Sequence, residues 1–192
     1  MQFDIPAAQI HRAKFPHELF LTNLIGNHIL WFVAALGMAG SFWQPLLVVP
    51  MVSLSTLLYT LWRARRARDR YDWFEMCHWQ LAAKRSKVLL LVIGLCCLVF
   101  VGGWVGYSYL GMPRVVVMAL SGGVGLLPTM VTVLVLIVME SDGLHQASHG
   151  RIPASLFRQY PNHQVVRLDS DEPQEGDDTE ADHGDTRDAL RP

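Results

Sequence analysis

Eight histidines and three cysteines are the residues of this chain that could hold a metal, a haem or a reactive thiol. His11, His17, His145, His149, His163 and His183 stand in polar segments, with no cysteine or carboxylate at ligand spacing around them. His28 is the histidine that lies inside a long apolar run. Haem held by two histidines between membrane helices would need a second one at similar depth, so it would require a dimer. His28 is expected to bond a hydroxyl or carbonyl on a neighbouring helix, and it is the most informative titratable group within the apolar part. Cys77 and His78 are adjacent, but no third residue fixes a nucleophile and base geometry. Cys96 and Cys97 sit side by side in an apolar run and point to different sides of a helix. No G-x-S-x-G, H-E-x-x-H or phosphate-binding glycine loop occurs. The expectation is a non-enzyme with no catalytic residue, no metal and no cofactor.

The elements that carry these residues are membrane elements. Apolar residues make up 51% of the chain and charged ones 17%, and mean hydropathy is +0.24 despite a very polar carboxyl end. Four apolar runs, at about 19–43, 46–62, 88–110 and 115–139, contain no Asp, Glu, Lys or Arg. About 20 apolar residues cross the hydrocarbon of a bilayer as a helix. The expected fold is all-α, with four transmembrane helices arranged as two hairpins. Pro45 opens the second run and Pro50 lies in its first turns, where a bend is expected.

The 63–87 connector orients the rest. Arg63, Arg65, Arg66, Arg68, Arg70, Lys84, Arg85 and Lys87 lie in it, eight of the 16 Lys and Arg in the chain. Short basic connectors stay on the cytoplasmic side, which places both termini there as well. Tyr71, Phe74, His78 and Leu81 recur at helical spacing within it. That pattern predicts an amphipathic helix on the membrane surface or an extension of the third span. Residues 1–18 read as a short cytoplasmic arm, flexible or interfacial. Residues 141–192 read as a cytoplasmic tail, with a brief helix around 154–159. Ten acidic residues and one arginine fall between Asp169 and Asp188, and that part is expected to be disordered. Leu-Gly-Met occurs at Leu36–Met38 and again at Leu110–Met112, which hints at a repeated hairpin.

Within the apolar runs the polar candidates are Asn23, Asn27 and His28 in the first, and Ser121, Gly125, Pro128, Thr129 and Thr132 in the fourth. Glycines and a proline inside the fourth run weaken its helix and free backbone carbonyls, which Thr129 and Thr132 could satisfy. Gly26, Gly37, Gly102 and Gly106 are candidate helix-packing positions. The absence of acid or base inside the runs argues against a proton-coupled pump.

These features imply an accessory or scaffold protein of a membrane, of bacterial inner-membrane type. It would work through helix contacts and the basic connector, which would also attract anionic lipid. Its partners would be the bilayer and other membrane subunits or copies of itself, and nucleic acid is not expected. The competing expectation is an oligomeric channel or transporter subunit that uses the irregular Ser121–Thr129 stretch. A haem subunit using His28 in a dimer is a remote third.

Overall fold

The computed structural model describes residues 1–168 except Trp43 and His163. The acidic Asp169–Asp188 segment expected to be disordered, and His163 and His183, lie outside the described residues. Four helices are long and apolar enough to cross a bilayer: α1 (Ala7–Met38), α2 (Pro45–Arg70), α3 (Trp73–Tyr109) and α4 (Arg114–Ser148). A short α5 (Ala154–Gln159) follows, where the sequence places it. At 1.5 Å per residue α3 is about 55 Å long, well beyond the ~30 Å hydrocarbon layer. The excess is the charged end. The α2–α3 connection, the amino terminus and α5 gather at this basic end, and the Ala39–Gln44 and Leu110–Pro113 turns lie at the other.

The connector is therefore not a separate surface helix. α2 runs on through Arg70, Tyr71 turns extended at φ −116°, and α3 restarts at Trp73. Arg, Ala, Lys and Leu are strong helix formers, so both spans simply continue into water. The Gln80 side chain ties the two extensions by donating to the Ala64 carbonyl at 2.6 Å.

Residues 1–18 are not a loose arm either. They are helical from Ala7, and Phe3 is buried. The Phe3 ring meets Trp73 edge-on at 5.3 Å and stacks on Phe157 at 5.6 Å. Its N–H donates to the Gly150 carbonyl at 3.0 Å. Aromatic burial outweighs the ordering entropy that the polar composition seemed unable to offset.

α2 and α4 each bury one stripe at helical period, whereas α3 is enclosed on all sides from Phe74 to Gln80. In α2 it is Val49, Ser53, Leu57, Thr60, Ala64 and Ala67, and in α4 it is Thr129, Val133, Leu136, Glu140, Gly143 and Ala147. The stripes make two apolar cores. One, at the basic end, holds Phe3, Phe74, Trp79, Ile152 and Leu156. The second, between the spans, holds Phe20, Leu24, Leu57, Leu89, Val133 and Leu136. Outward positions of the spans are apolar as well, such as Leu98 at 67% and Val138 at 71% exposure. Such a surface is at home in hydrocarbon.

Two stretches inside the spans, Thr22–Trp31 and Ser121–Leu126, are π-helical. The second is the irregular glycine stretch. Within it the Gly125 carbonyl accepts from Thr129 Oγ1 at 2.8 Å, and Thr132 Oγ1 donates at 2.8 Å to the carbonyl of Pro128, just past the stretch. We have no physical account of the first. The two Leu-Gly-Met tripeptides differ, because Gly37 is helical whereas Gly111 turns at φ +66°.

Gly150 ends α4 at φ +64°, and a Cβ there would lie 2.8 Å from the Phe3 carbonyl oxygen. Both effects oppose any side chain. Gly150→Ala is expected to lower stability by about 1–2 kcal/mol. It should also expose the amino terminus to protease, and detergent unfolding curves with limited proteolysis would measure both.

Candidate functional site

The two cores are separated by a layer of charge. His17 of α1, Arg85 of α3 and Glu140 of α4 are all buried there, with His78 of α3 two turns farther toward the basic end. Each follows from its stripe. His17 lies between Ala13 and Phe20, Glu140 between Leu136 and Gly143, and Arg85 between Ala82 and Leu89, positions that a helix puts on one face.

The contacts run in series. Glu140 Oε1 faces Arg85 Nη1 at 3.2 Å, and Glu140 Oε2 lies 2.5 Å from His17 Nδ1. The opposite nitrogen of the same ring, His17 Nε2, lies 2.9 Å from His78 Nδ1, with the two rings edge to face. A carboxylate beside a guanidinium accepts from His17 Nδ1–H. The other ring nitrogen, Nε2, shares one proton with His78 Nδ1 across their 2.9 Å contact. Arg85 Nη1 and Glu140 Oε1 are close but not aligned for a hydrogen bond, so their attraction is Coulombic. Arg85 Nε and His78 Nε2 are also buried without a hydrogen-bond partner. Gly143 makes the arrangement possible. A Cβ there would stand 2.5 Å from Arg85 Nη1 and 2.8 Å from the His17 ring.

Because His17 directs its nitrogens to opposite sides, the donors do not converge. Among the described residues no three His, Cys, Asp or Glu side chains form a metal-sized group. Nor is Cys77 a nucleophile, since burial pushes its thiol up to about 12 and the reactive thiolate is suppressed. The layer pairs charge inside the bundle and ties α1, α3 and α4 together.

The polar residues of the first run point inward. Asn27 Nδ2 donates to the Val49 carbonyl at 2.8 Å and to Asn23 Oδ1 at 3.2 Å, and Asn23 Nδ2 donates to Ser53 Oγ at 3.3 Å. His28 Nε2 sits 2.8 Å from the same Ser53 Oγ, the hydroxyl partner expected for it. This knot joins α1 to α2, so Asn23 and Asn27 are spent within the chain. The structure brings His28 and Thr129 to opposite walls of one cavity of about 420 Å³. Gly125, Pro128 and Thr132 line a separate depression, and Ser121 lies nearer the turns.

At the candidate packing glycines, a Cβ on Gly106 would meet Met112 of the adjoining turn, and one on the nearby Gly103 would meet Val117 and Ser121 of α4, whereas Gly26, Gly37 and Gly102 have nothing of the chain within 4 Å and stay open to a neighbour. Of the basic patch, Arg85 is buried, Arg63 lies over Tyr71 and Trp79, and Arg65, Arg66, Arg68, Arg70, Lys84 and Lys87 are exposed.

Sequence reasoning passed over His17 and Glu140 as polar flanks. The signal was their position. His17 precedes the first apolar run by two residues, Glu140 follows the fourth by one, and Arg85 precedes the third by three. If both termini and the connector share a side, those three stand at one depth. Family models, curated proteins and solved structures offer no match to the chain.

Removing one member of a buried ion pair strands the other, at a cost of about 3–5 kcal/mol, whereas replacing both with apolar groups is far milder. Arg85→Met and Glu140→Leu are each expected to lower stability by that order. The double variant should recover most of the loss in a double-mutant cycle of detergent unfolding.

His78 lies outside the 88–110 run. Burial first, then the adjacent His17 and Arg85, pushes its pKa down to about 3, with the Arg151 backbone acting in the other direction. In an unfolded chain the ring titrates near 6.5. As pH falls through 6.5 the unfolded state takes up the proton and the folded state does not. The contribution of His78 is thus complete above about pH 6.5 and is lost progressively between there and about pH 3. Unfolding midpoints at about pH 7.5 and pH 5 should differ in that direction, and His78→Gln should shrink the difference.

Proposed function

We propose that this protein is a non-catalytic scaffold or accessory subunit of a membrane, which anchors through four apolar helices and offers a fixed helical platform to a partner. The observation that carries this reading is the buried charge layer. It spends His17, His78, Glu140 and Arg85 on one another and leaves cations and aromatic rings on the outer face. Arg66 lies over the Trp62 ring at 4.3 Å and Arg68 over that of Tyr160 at 5.9 Å. Lys84 donates to Gln159 Oε1 at 2.7 Å. Guanidinium groups held on rings are partly ordered before they meet a partner, which reduces the entropic cost of binding.

Retention of cations on the cytoplasmic side supports two hairpins in a bacterial inner membrane, with both termini and the platform inside the cell. Anionic lipid there adds about 1 kcal/mol for each cation near the surface. The docked partner presents acidic groups to the exposed arginines. Lateral contacts with other subunits, or with a second copy, use the outward Gly94 and Gly102, since Asn23 and Asn27 are engaged internally. A channel or transporter built on Ser121–Thr129 would need polar groups free to line a wet path. The hydroxyls of Thr129 and Thr132 are already bonded to backbone carbonyls, which favours the scaffold reading.

Affinity isolation from native membranes in mild detergent tests the proposal. The wild type is expected to bring a stoichiometric partner or a second copy. The paired change Arg65→Glu and Arg70→Glu, at exposed positions, should release it without loss of folding. Recovery of the wild type as a bare monomer with nothing attached would overturn the reading.

A further inference from the structure

The far end of the molecule carries a second feature that the platform does not use. Between α1, α2, α3 and α4 lies the cavity of about 420 Å³, walled by His28, Phe32, Ile93, Cys97, Phe100 and Met130 among others. Its size is that of a ligand pocket, where volumes run from about 300 to 1,000 Å³. Its wall is almost wholly apolar, with His28 Nε2 turned to Ser53 and the Thr129 hydroxyl donating to the Gly125 carbonyl. An apolar cavity of this kind does not hold water and accepts hydrocarbon. Leu47 and Val101 at its margin are 49% and 57% exposed, so it opens on the face that meets lipid.

Phe100 also lines a second cavity, of about 500 Å³, one step nearer the turns. There the walls are Trp104, Tyr107, Arg114 and Ser121. Along α3, Ile93, Cys97, Phe100, Trp104 and Tyr107 recur at three- and four-residue spacing, so both cavities follow one stripe of that helix. Arg114, the first residue of α4, is the charged residue at the turn end and is exposed. It has no ion-pair partner among the described residues. A lone guanidinium beside interfacial aromatic rings, above a dry groove, complements an anionic head on a hydrocarbon tail.

We infer that the seam between α3 and α4 is a binding site for one anionic phospholipid of the leaflet at the turn end. Its phosphate sits at Arg114, beside Trp104 and Tyr107, and an acyl chain lies past Phe100 in the apolar cavity. The site is independent of the platform. It lies at the opposite end and uses none of the connector cations.

Photolabelling locates such a lipid, and lipid held at the basic end would label other residues. Full-length protein would be placed in phosphatidylcholine nanodiscs with a small fraction of phosphatidylglycerol that carries a diazirine on its acyl chain. Label is expected to concentrate on residues 93–101 and 126–130, above equally exposed positions such as Leu54 and Leu134. Arg114→Gln should reduce that labelling about fivefold, the worth of one cation near an anionic surface. A phosphatidylcholine probe should label the wild type less by a similar factor. Val101→Trp, which fills the mouth of the cavity, should lower labelling by both probes. Even distribution of label over the lipid-facing residues would overturn the site. So would labelling that Arg114→Gln leaves unchanged.

Discussion

A carboxylate enclosed by protein needs a cation and a hydrogen-bond donor, and Glu140 obtains both from helices other than its own. Arg85 supplies the charge and His17 supplies the ring N–H. The demand is stringent because the group is buried and the solvent next to it is hydrocarbon on one side. Three spans must therefore meet at one depth and in one rotation. Rotating α4 by a residue would point Glu140 at lipid, and sliding α1 by a turn would replace His17 with Ala13 or Leu21. Nonspecific apolar packing could not impose that choice, because lipid tails are as apolar as leucine.

The layer also joins two halves with different physics. On the basic side, water is the solvent, and Phe3, Trp73, Trp79 and Phe157 are buried by the ordinary hydrophobic effect. On the other side, Phe20, Leu57 and Val133 gain only shape and dispersion over contact with lipid. The amino terminus, α5 and the helical extensions thus have a driving force of their own, and the spans take their alignment from polar contacts. That is why the segment before the first span, polar on paper, folds: it closes the water-side core and delivers His17 to the charge layer.

How far the sequence disclosed this follows the same division. The spans were legible because about 20 uncharged apolar residues have few alternatives to a membrane helix. The bond from Thr129 to the glycine stretch was legible too, since its hydroxyl stands one turn after the Gly125 carbonyl. His28 found the kind of partner its surroundings demand. What stayed hidden were contacts between distant segments. Residue type does not distinguish His17 from His11, or Glu140 from Asp142; closeness to an apolar run and the helix face each occupies once the bundle forms do. Gly102 and Gly106 have the spacing of a contact pair, yet within the chain a Cβ would be crowded at Gly106 and at Gly103 and would meet nothing at Gly102, a difference of side that spacing alone does not carry. The first span's π-helical stretch had no signal in composition at all.

Locks of this kind are spaced along the bundle, and the spacing accounts for where it is open. The charge layer fixes the basic end, and the knot of Asn23, Asn27, His28 and Ser53 fixes α1 against α2 near mid-depth. Beyond that knot toward the turns no side-chain hydrogen bond joins α3 to α4 among the described residues. Those helices come together there at Gly103 against Val117 and Ser121, with Gly106 under Met112 of the turn between them. Small residues let the backbones approach along one line and leave the flanks of that line unfilled, and the cavities lie along those flanks. In water such voids would oppose folding. In a bilayer the solvent itself is a flexible chain that can enter them, so the sequence is under no physical pressure to fill them with side chains.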